Sequence, residues 1–127
     1  MKDKFKILYV DDEVSNLRIF KDSFRRDFDI LLAESGKDAL KLMEENTVDI
    51  VITDQRMPHM TGVELLQEIH KKYPDIPPHR LIVSGYSKNS DIERAFESYK
   101  LFKFISKPWQ YAELKKTILD AVERRIY

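Results

Sequence analysis

The amino-acid sequence predicts an α/β fold in which a five-stranded parallel sheet is doubly wound, with helices on both faces. Two observations indicate this class. Short apolar segments alternate five times with longer segments whose apolar residues recur every three or four positions, as strands and amphipathic helices do. The first and third short segments are almost entirely apolar, which is typical of central parallel strands covered on both sides.

Five strand candidates, each rich in Ile, Leu, Val or Phe, supply the sheet. The last of them is the shortest and only partly alternates between apolar and polar residues, so we expect it at an edge of the sheet. In chain order the candidates are residues 5–10, 28–33, 48–53, 80–84 and 103–105.

Five helix candidates follow the strands, and each carries one apolar stripe that must pack against another layer. The first candidate, for example, places Leu17, Phe20 and Phe24 on one side. In chain order the candidates are approximately residues 14–26, 36–46, 62–73, 89–100 and 110–125.

Length and composition narrow the class of protein. The chain has 127 residues, which suits one compact domain. Its 22 Lys and Arg residues balance 22 Asp and Glu residues, and without an excess of positive charge we expect no direct nucleic-acid binding. Cysteine is absent, which suits a reducing cytosol. The N-terminal apolar run is too short for a signal peptide or a membrane span, so we expect a soluble, cytoplasmic protein.

Charged and hydroxyl residues stand at the ends of four predicted strands. Because the carboxyl ends of parallel strands meet at one edge of the sheet, where open α/β sheets bind their ligands, these side chains should share one shallow pocket. Asp11 and Asp12 follow the first strand, Asp54 follows the third, Ser84 ends the fourth, and Lys107 follows the fifth.

This set of side chains favours phosphoryl transfer. Three neighbouring carboxylates repel one another, and a hard divalent cation that prefers oxygen ligands, Mg²⁺ or alternatively Mn²⁺, would relieve the repulsion. A lysine and a hydroxyl can hold phosphoryl oxygens, and a carboxylate can act as the nucleophile. Together these are the parts of a phosphoryl-transfer site.

Each part also has an ordinary structural interpretation. The acid after the third strand could be a turn or helix-capping residue, and the acids after the first strand could favour the first turn of a helix. The Ser-Gly pair could be a simple turn, and the Lys-Pro pair a loop before a helix. Their occurrence together, in the order that one reaction needs, favours the site.

Four segments stand in the order and spacing of the conserved blocks of a known family: YVDDE, ITDQRMPHMTGVELL, LIVSGY and FKFISKPW. On these segments the sequence resembles the receiver domain of two-component response regulators over essentially all of residues 4–125. The resemblance implies a flavodoxin-like sheet of strand order 2-1-3-4-5. It also implies one receiver domain over residues 1–127. We expect no output domain in this chain, which is either a free-standing receiver or part of a longer regulator.

The resemblance implies a role for each charged residue of the predicted pocket. Asp54 is expected to accept a phosphoryl group from a histidine kinase or a small phosphodonor. Asp12 and Asp54 are expected to bind Mg²⁺ directly, Asp11 through water, and Arg56 through its backbone carbonyl. Lys107 is expected to contact a phosphoryl oxygen and to pair with an acid of the pocket.

The same resemblance implies a switch. Ser84 occupies the switch-hydroxyl position and Phe104 the aromatic switch position. On phosphorylation Ser84 would move towards the new group, and Phe104 would turn into the vacated space. The surface formed by the fourth predicted helix, the fifth strand and the fifth predicted helix would then change. The Lys107–Pro108 peptide is expected to be cis, as is usual in the family.

These roles predict a phosphorylation-activated signalling switch whose catalytic activity is limited to its own phosphorylation and dephosphorylation. Arg56 and Tyr86, two positions after the phosphoacceptor and the switch hydroxyl, are bulky, and we expect them to slow dephosphorylation by crowding the attacking water. The expected partners are a sensor histidine kinase or phosphotransfer protein and an output domain or downstream protein. The switch surface is either a solvated face or the contact of a homodimer, and the sequence leaves both open.

Two alternatives remain open. The chain could be an adaptor that uses the receiver fold without phosphorylation, although no catalytic position is missing. It could also be a Mg²⁺-dependent phosphatase, but such enzymes commonly place a second acid two residues after the nucleophile, where this chain has Arg56. The sequence does not identify the kinase, the pathway or the output activity.

Overall fold

The computed structural model describes residues 4–73, 80–84 and 101–123, with the backbone alone for residues 80–84, 101–104 and 106. The helix candidate at 89–100 and Tyr86 lie outside the described residues. The strands are β1 (Lys6–Val10), β2 (Asp29–Ala33), β3 (Ile50–Asp54), β4 (Arg80–Ser84) and β5 (Leu101–Ser106). The helices are α1 (Val14–Phe24), α2 (Gly36–Glu45), α3 (Gly62–Lys72) and α4 (Tyr111–Glu123). None of these helices is both long and apolar enough to cross a membrane.

The element bounds differ from the predicted ones for identifiable reasons. Phe28, predicted to begin the second strand, instead donates its backbone N–H to the Phe24 carbonyl at 3.0 Å, so it belongs to the turn that ends α1. The fifth strand was predicted to be the shortest, and this was wrong, because β5 has 6 residues. The prediction left out Leu101 and Phe102 at its start and Ser106 at its end, and both ends are defined by the pairing of Leu101 with Arg80 and of Ser106 with Ser84 of β4.

The strands form one parallel sheet. Hydrogen-bonded neighbours give the order β2-β1-β3-β4-β5, so β1 pairs with β2 on one side and with β3 on the other. At the carboxyl end of β1, Val10 lies in register with Ala33 of β2 and Thr53 of β3. This register brings the residues that follow β1 beside the last residue of β3.

The sheet separates two apolar cores, because successive side chains of a strand point to opposite faces. Leu8 and Val10 of β1 pack with α2 and α3 on one face, whereas Ile7 and Tyr9 pack with α1 and α4 on the other. All of β3 and nearly all of β1 are buried. The predicted fold class, a parallel sheet with helices on both faces and β1 and β3 inside it, is confirmed.

The start of α4 is fastened to the turn after α1. The Tyr111 hydroxyl donates to Asp27 Oδ2 at 2.6 Å, and Lys115 Nζ lies 3.1 Å from Asp27 Oδ1. The hydrogen bond from Tyr111, followed by the contact with Lys115, holds the pKa of Asp27 below its usual range. The Tyr111 ring stacks on Phe24 with a centroid distance of 5.1 Å. These contacts fix the chain a few residues after Lys107.

α3 begins directly against the end of β3. Thr61 Oγ1 accepts the Glu64 N–H at 3.2 Å, and the Glu64 carboxylate accepts the Thr61 N–H at 2.9 Å, which is a capping box. Gln55 is buried and adds two further acceptors: its Oε1 accepts the Val63 N–H at 2.8 Å, and its carbonyl accepts the Gly62 N–H at 3.1 Å. The first backbone N–H groups of α3 are therefore satisfied by the residue next to Asp54.

The connection between β3 and α3 is sharply bent. Met60 donates its N–H to the Pro58 carbonyl at 2.7 Å, and His59 between them has a φ of 70°. An i to i+2 hydrogen bond around a residue of positive φ is a γ-turn, which is rare and strained for a residue other than glycine. This bend changes the direction of the chain within a few residues, so that α3 begins beside the end of β3.

Gly62 should not tolerate a methyl group. A Cβ there would lie 2.5 Å from the Asp54 backbone oxygen, whereas a Cβ at Gly36 would meet the flexible side chain of Met60. We expect Gly62→Ala to lower the free energy of unfolding, measured in urea, by about 1–3 kcal/mol. Gly36→Ala is the matched control, because both glycines are the first residue of a helix, and it should cost less. Equal effects would contradict this close approach of α3 to β3.

Candidate functional site

Three carboxylates meet at the carboxyl edge of the sheet. Asp54 is the last residue of β3, and Asp11 and Asp12 come directly after β1, its neighbour in the sheet. One oxygen from each of Asp11, Asp12 and Asp54 lies within 4.8 Å of the others. Asp11 is fully buried and Asp54 is 7% exposed, while Asp12 faces solvent. The cluster is therefore a shallow pocket with a buried floor and an open rim.

Lys107 brings the ammonium group to the buried acids. Its Nζ lies 3.1 Å from Asp11 Oδ2 and 3.2 Å from Asp54 Oδ2. Lys107 follows β5, and its peptide bond to Pro108 is cis. The structure thus brings together the four charged residues that were predicted to share one pocket, Asp11, Asp12, Asp54 and Lys107.

The ammonium offsets only part of the negative charge. Burial raises the pKa of Asp54 above its usual range, and the charge of Asp11 raises it further. The charge of Lys107 and a backbone hydrogen bond from Arg56 act in the opposite direction without cancelling that rise. At Lys107, burial alone would lower the pKa, but hydrogen bonds and charges from Asp11 and Asp54 outweigh it and hold the pKa above its usual range.

The donor set fits a hard divalent cation. Among the described side chains, three carboxylates against one ammonium leave an excess of negative charge, and close carboxylate oxygens are the ligands that Mg²⁺ prefers. Arg56 is exposed and lies two residues after Asp54, where its backbone already contacts the Asp54 carboxylate. A metal role for the Arg56 carbonyl stays a prediction.

The predicted switch residues are placed by their backbone. Ser84 ends β4, directly after Val83, the register partner of Asp54. Phe104 lies in β5 in register with Ile82. Ser84 therefore reaches the same edge of the sheet as the acids, while Phe104 lies two residues before the end of β5. Tyr86 lies outside the described part of the chain.

Two residues near the site were missed by sequence reasoning. Gln55 follows Asp54 and anchors the start of α3 through its buried side chain. Tyr9 lies in β1, and its hydroxyl interacts with Asp11. A hydroxyl within an otherwise aliphatic strand segment is a signal that could have identified Tyr9, but Gln55 gives no comparable signal, because an amide after a strand is common in turns.

Comparisons with known proteins agree with this geometry. A family model described as the response regulator receiver domain matches residues 7–119. The hydrogenase transcriptional regulatory protein HoxA of Bradyrhizobium diazoefficiens is 39% identical over 92% of this chain and 24% of its own length. This chain thus spans about a quarter of the length of that relative.

Solved structures show the same fold. The signal receiver domain of an HD domain-containing protein from Pseudomonas fluorescens superimposes with a TM-score of 0.89 at 27% identity, covering 97% of this chain and 98% of that one. A response regulator receiver domain protein from Clostridium thermocellum gives a TM-score of 0.81 at 31% identity, covering 96% and 97% of the two chains.

Substitutions of the two partners of the Asp54–Lys107 ion pair should change the free energy of unfolding in opposite directions. Asp54→Asn should raise the free energy of unfolding at neutral pH, because the folded state disfavours the ionised carboxyl, whose pKa is raised by burial and by Asp11. Its advantage over the parent should shrink as the pH falls through that raised pKa. Lys107→Met should lower the free energy of unfolding by about 1–3 kcal/mol, because two buried carboxylates lose their ammonium.

Urea denaturation at pH 7 and pH 4 measures both effects. Asp22→Asn, which removes an exposed carboxyl of α1, is the control and should change little. If Asp54→Asn and Lys107→Met shifted stability in the same direction at pH 7, the proposed charge balance would be wrong.

Proposed function

Because the chain belongs to the response regulator receiver domain family, we propose that it is a phosphorylation-dependent signalling switch in which Asp54 accepts the phosphoryl group. The observation that carries this proposal is the position of the Lys107 ammonium, 3.2 Å from Asp54 Oδ2 and 3.1 Å from Asp11 Oδ2. It places a cation directly beside a carboxylate at the edge of the sheet, which is the arrangement needed for an incoming phosphoryl group to approach an anion.

The proposed reaction joins an Asp54 carboxylate oxygen to the phosphorus of a phosphohistidine on a kinase or phosphotransfer protein. The bond from phosphorus to the histidine nitrogen breaks, and the histidine leaves with the electron pair of that bond. Lys107 holds a phosphoryl oxygen and moves part of its pairing from Asp54 to the new group. A water molecule later attacks the phosphorus, the bond from phosphorus to the Asp54 oxygen breaks, and inorganic phosphate and the free Asp54 carboxylate result.

Mg²⁺ is the proposed cofactor, with Mn²⁺ as a substitute. Asp12 and Asp54 would hold it directly, Asp11 through water, and Arg56 through its carbonyl. When bound, it would neutralise carboxylate and phosphoryl charge. The support for this assignment is the close cluster of three carboxylates beside the Lys107 ammonium.

The proposed output is a change of surface. Ser84 would donate to the phosphoryl group, and Phe104 would turn inward, which alters the surface of β5 and α4 together with the predicted helix at 89–100. An output domain, a downstream protein or a second copy of the chain would bind that surface. This two-state behaviour follows from a local gain of negative charge, roughly −1.5 to −2 at neutral pH by analogy with other phosphorylated residues.

We also take the domain to be one receiver unit over residues 1–127, built on five strands in the order 2-1-3-4-5. The strand pairings and the two cores support this architecture.

Phosphoryl uptake tests the proposal. Incubation with acetyl phosphate or phosphoramidate and Mg²⁺ should add the mass of one phosphoryl group to the intact protein. The gain should disappear in Asp54→Asn and when a chelator removes the metal, because the nucleophile or the compensating charge is then lost. Asp22→Asn, with an exposed carboxyl of α1 changed, should retain full uptake.

Two results would count against it. Absence of uptake from every donor would contradict the switch and favour a phosphorylation-independent adaptor. Full uptake by Asp54→Asn would show that another residue is the phosphoacceptor.

The lifetime of the phosphoryl group should depend on Arg56 and Tyr86. If both bulky side chains crowd the attacking water, the double substitution Arg56→Ala/Tyr86→Ala should shorten the half-life of the phosphorylated protein. The decay of the phosphorylated protein is followed by mass spectrometry of the intact protein after the donor is removed. Arg18→Ala, which changes an exposed side chain of α1, is the control. An unchanged half-life in the double variant would rule out this role.

A further inference from the structure

Thr53, the residue before Asp54, carries a hydroxyl in a strand segment that is otherwise apolar. The preceding residues of β3 are Ile50, Val51 and Ile52, and none of the surface of Thr53 is exposed. Burying a hydroxyl is unfavourable unless a hydrogen bond replaces the lost water, and valine would fill nearly the same volume without that cost. The acceptor of the Thr53 hydroxyl therefore indicates what the residue contributes.

The acceptor is the backbone carbonyl of Asp54. Thr53 Oγ1 donates to that oxygen at 2.9 Å, and the hydroxyl has a single proton to donate. Because Thr53 is branched at Cβ, its χ1 angle is restricted, so the direction of the hydroxyl is well defined. The peptide group between Asp54 and Gln55 is planar, and a donor on its carbonyl oxygen therefore sets the orientation of the whole group.

α3 restricts the same peptide group and holds the next one. Gly62 lies so close to the Asp54 carbonyl that an added Cβ would be 2.5 Å from its oxygen. The following carbonyl, that of Gln55, accepts the Gly62 N–H at 3.1 Å, and Gln55 Oε1 accepts the Val63 N–H at 2.8 Å. Two successive peptide groups after Asp54 are thus held, the first by Thr53 and the second by α3.

These two peptide groups connect the proposed nucleophile to Arg56. The Asp54 carboxylate lies 3.2 Å from Lys107 Nζ, and Arg56 follows Asp54 by two residues. The place of the Arg56 carbonyl relative to the Asp54 carboxylate depends on the orientation of the peptide groups between them. A rotation of the first group would therefore displace Arg56 relative to the oxygens of the acidic cluster.

We propose that Thr53 is a positioning residue of the phosphoryl-transfer site: the bond from its hydroxyl to the Asp54 carbonyl sets the path of the chain from Asp54 to Arg56. That path determines how two groups expected to bind Mg²⁺ lie relative to each other. The inference rests on the proposed function, in which Asp54 accepts the phosphoryl group and the Arg56 carbonyl contacts the metal. In this role the Thr53 hydroxyl acts through the backbone alone.

Thr53→Val tests the role, because it keeps the branched shape and removes only the hydroxyl. Thr117→Val is the matched control: the Thr117 hydroxyl also donates to a backbone carbonyl, that of Glu113 at 3.1 Å, but within α4. Mg²⁺ affinity, measured by calorimetry, should fall about tenfold in Thr53→Val, as is typical when an outer partner of a metal ligand is lost. It should stay at the parent value in Thr117→Val, and Thr53→Ser, which retains the hydroxyl, should lie close to the parent.

Amide hydrogen exchange without metal gives a second readout that needs no activity. The Gly62 and Val63 N–H groups both donate to Gln55. They should exchange faster in Thr53→Val, because the peptide group before Gln55 is then less firmly held. The Ile69 N–H, later in α3, should exchange at the parent rate. Faster exchange at all three positions would indicate a general loss of stability and would contradict the proposal.

The outcomes separate the two proposals. If Thr53→Val matches Thr117→Val in Mg²⁺ affinity while the parent binds Mg²⁺ and takes up a phosphoryl group, the positioning role is overturned and the proposed function stands. If the parent takes up no phosphoryl group from any donor, the proposed function fails. The exchange rates then decide alone whether Thr53 sets the path of the chain, and unchanged rates at Gly62 and Val63 overturn that role as well. Thermal unfolding of both variants above the assay temperature verifies that folded proteins are compared.

Discussion

Two buried carboxylates share one ammonium, and the rest of the structure serves to hold these three groups together. Lys107 contacts Asp11 and Asp54 almost equally, at 3.1 and 3.2 Å. One positive charge cannot balance these two acids together with Asp12. The net negative charge that remains favours the binding of a cation. A cation in turn is what allows an anionic phosphoryl group to approach an anionic aspartate.

The backbone around Asp54 is unusually well supported for a residue at the end of a strand. β3 lies between β1 and β4 in the sheet, and the residue after Asp54 supplies two acceptors to the first turn of α3. Gly62 allows that turn to approach the Asp54 carbonyl closely. The carboxylate is thus presented by a rigid backbone, which favours a reproducible geometry over a mobile one.

Much of this could be predicted from the sequence because the signals are local. The periodicity of apolar residues predicted the alternation of strands and helices, and the parallel topology predicted that Asp11, Asp54 and Lys107 would meet. The contacts of Gln55 and Tyr9 could not be predicted in the same way. Each depends on the orientation of one side chain relative to another element: Gln55 turns to the start of α3, 8 residues later, and Tyr9 stacks on Phe20 of α1.

The position of Lys107 in the chain has a consequence for protein synthesis. The pairing of Lys107 with Asp11 joins residues 96 positions apart, and the acids are made well before the ammonium. When a ribosome-bound chain has emerged only as far as β3, it therefore carries Asp11, Asp12 and Asp54 but not yet Lys107. Lys107 reaches the acids only when β5 and the loop after it dock. Completion of the charged site thus requires the addition of the edge strand β5 to the sheet, and a chain that ends before Lys107 lacks its ammonium.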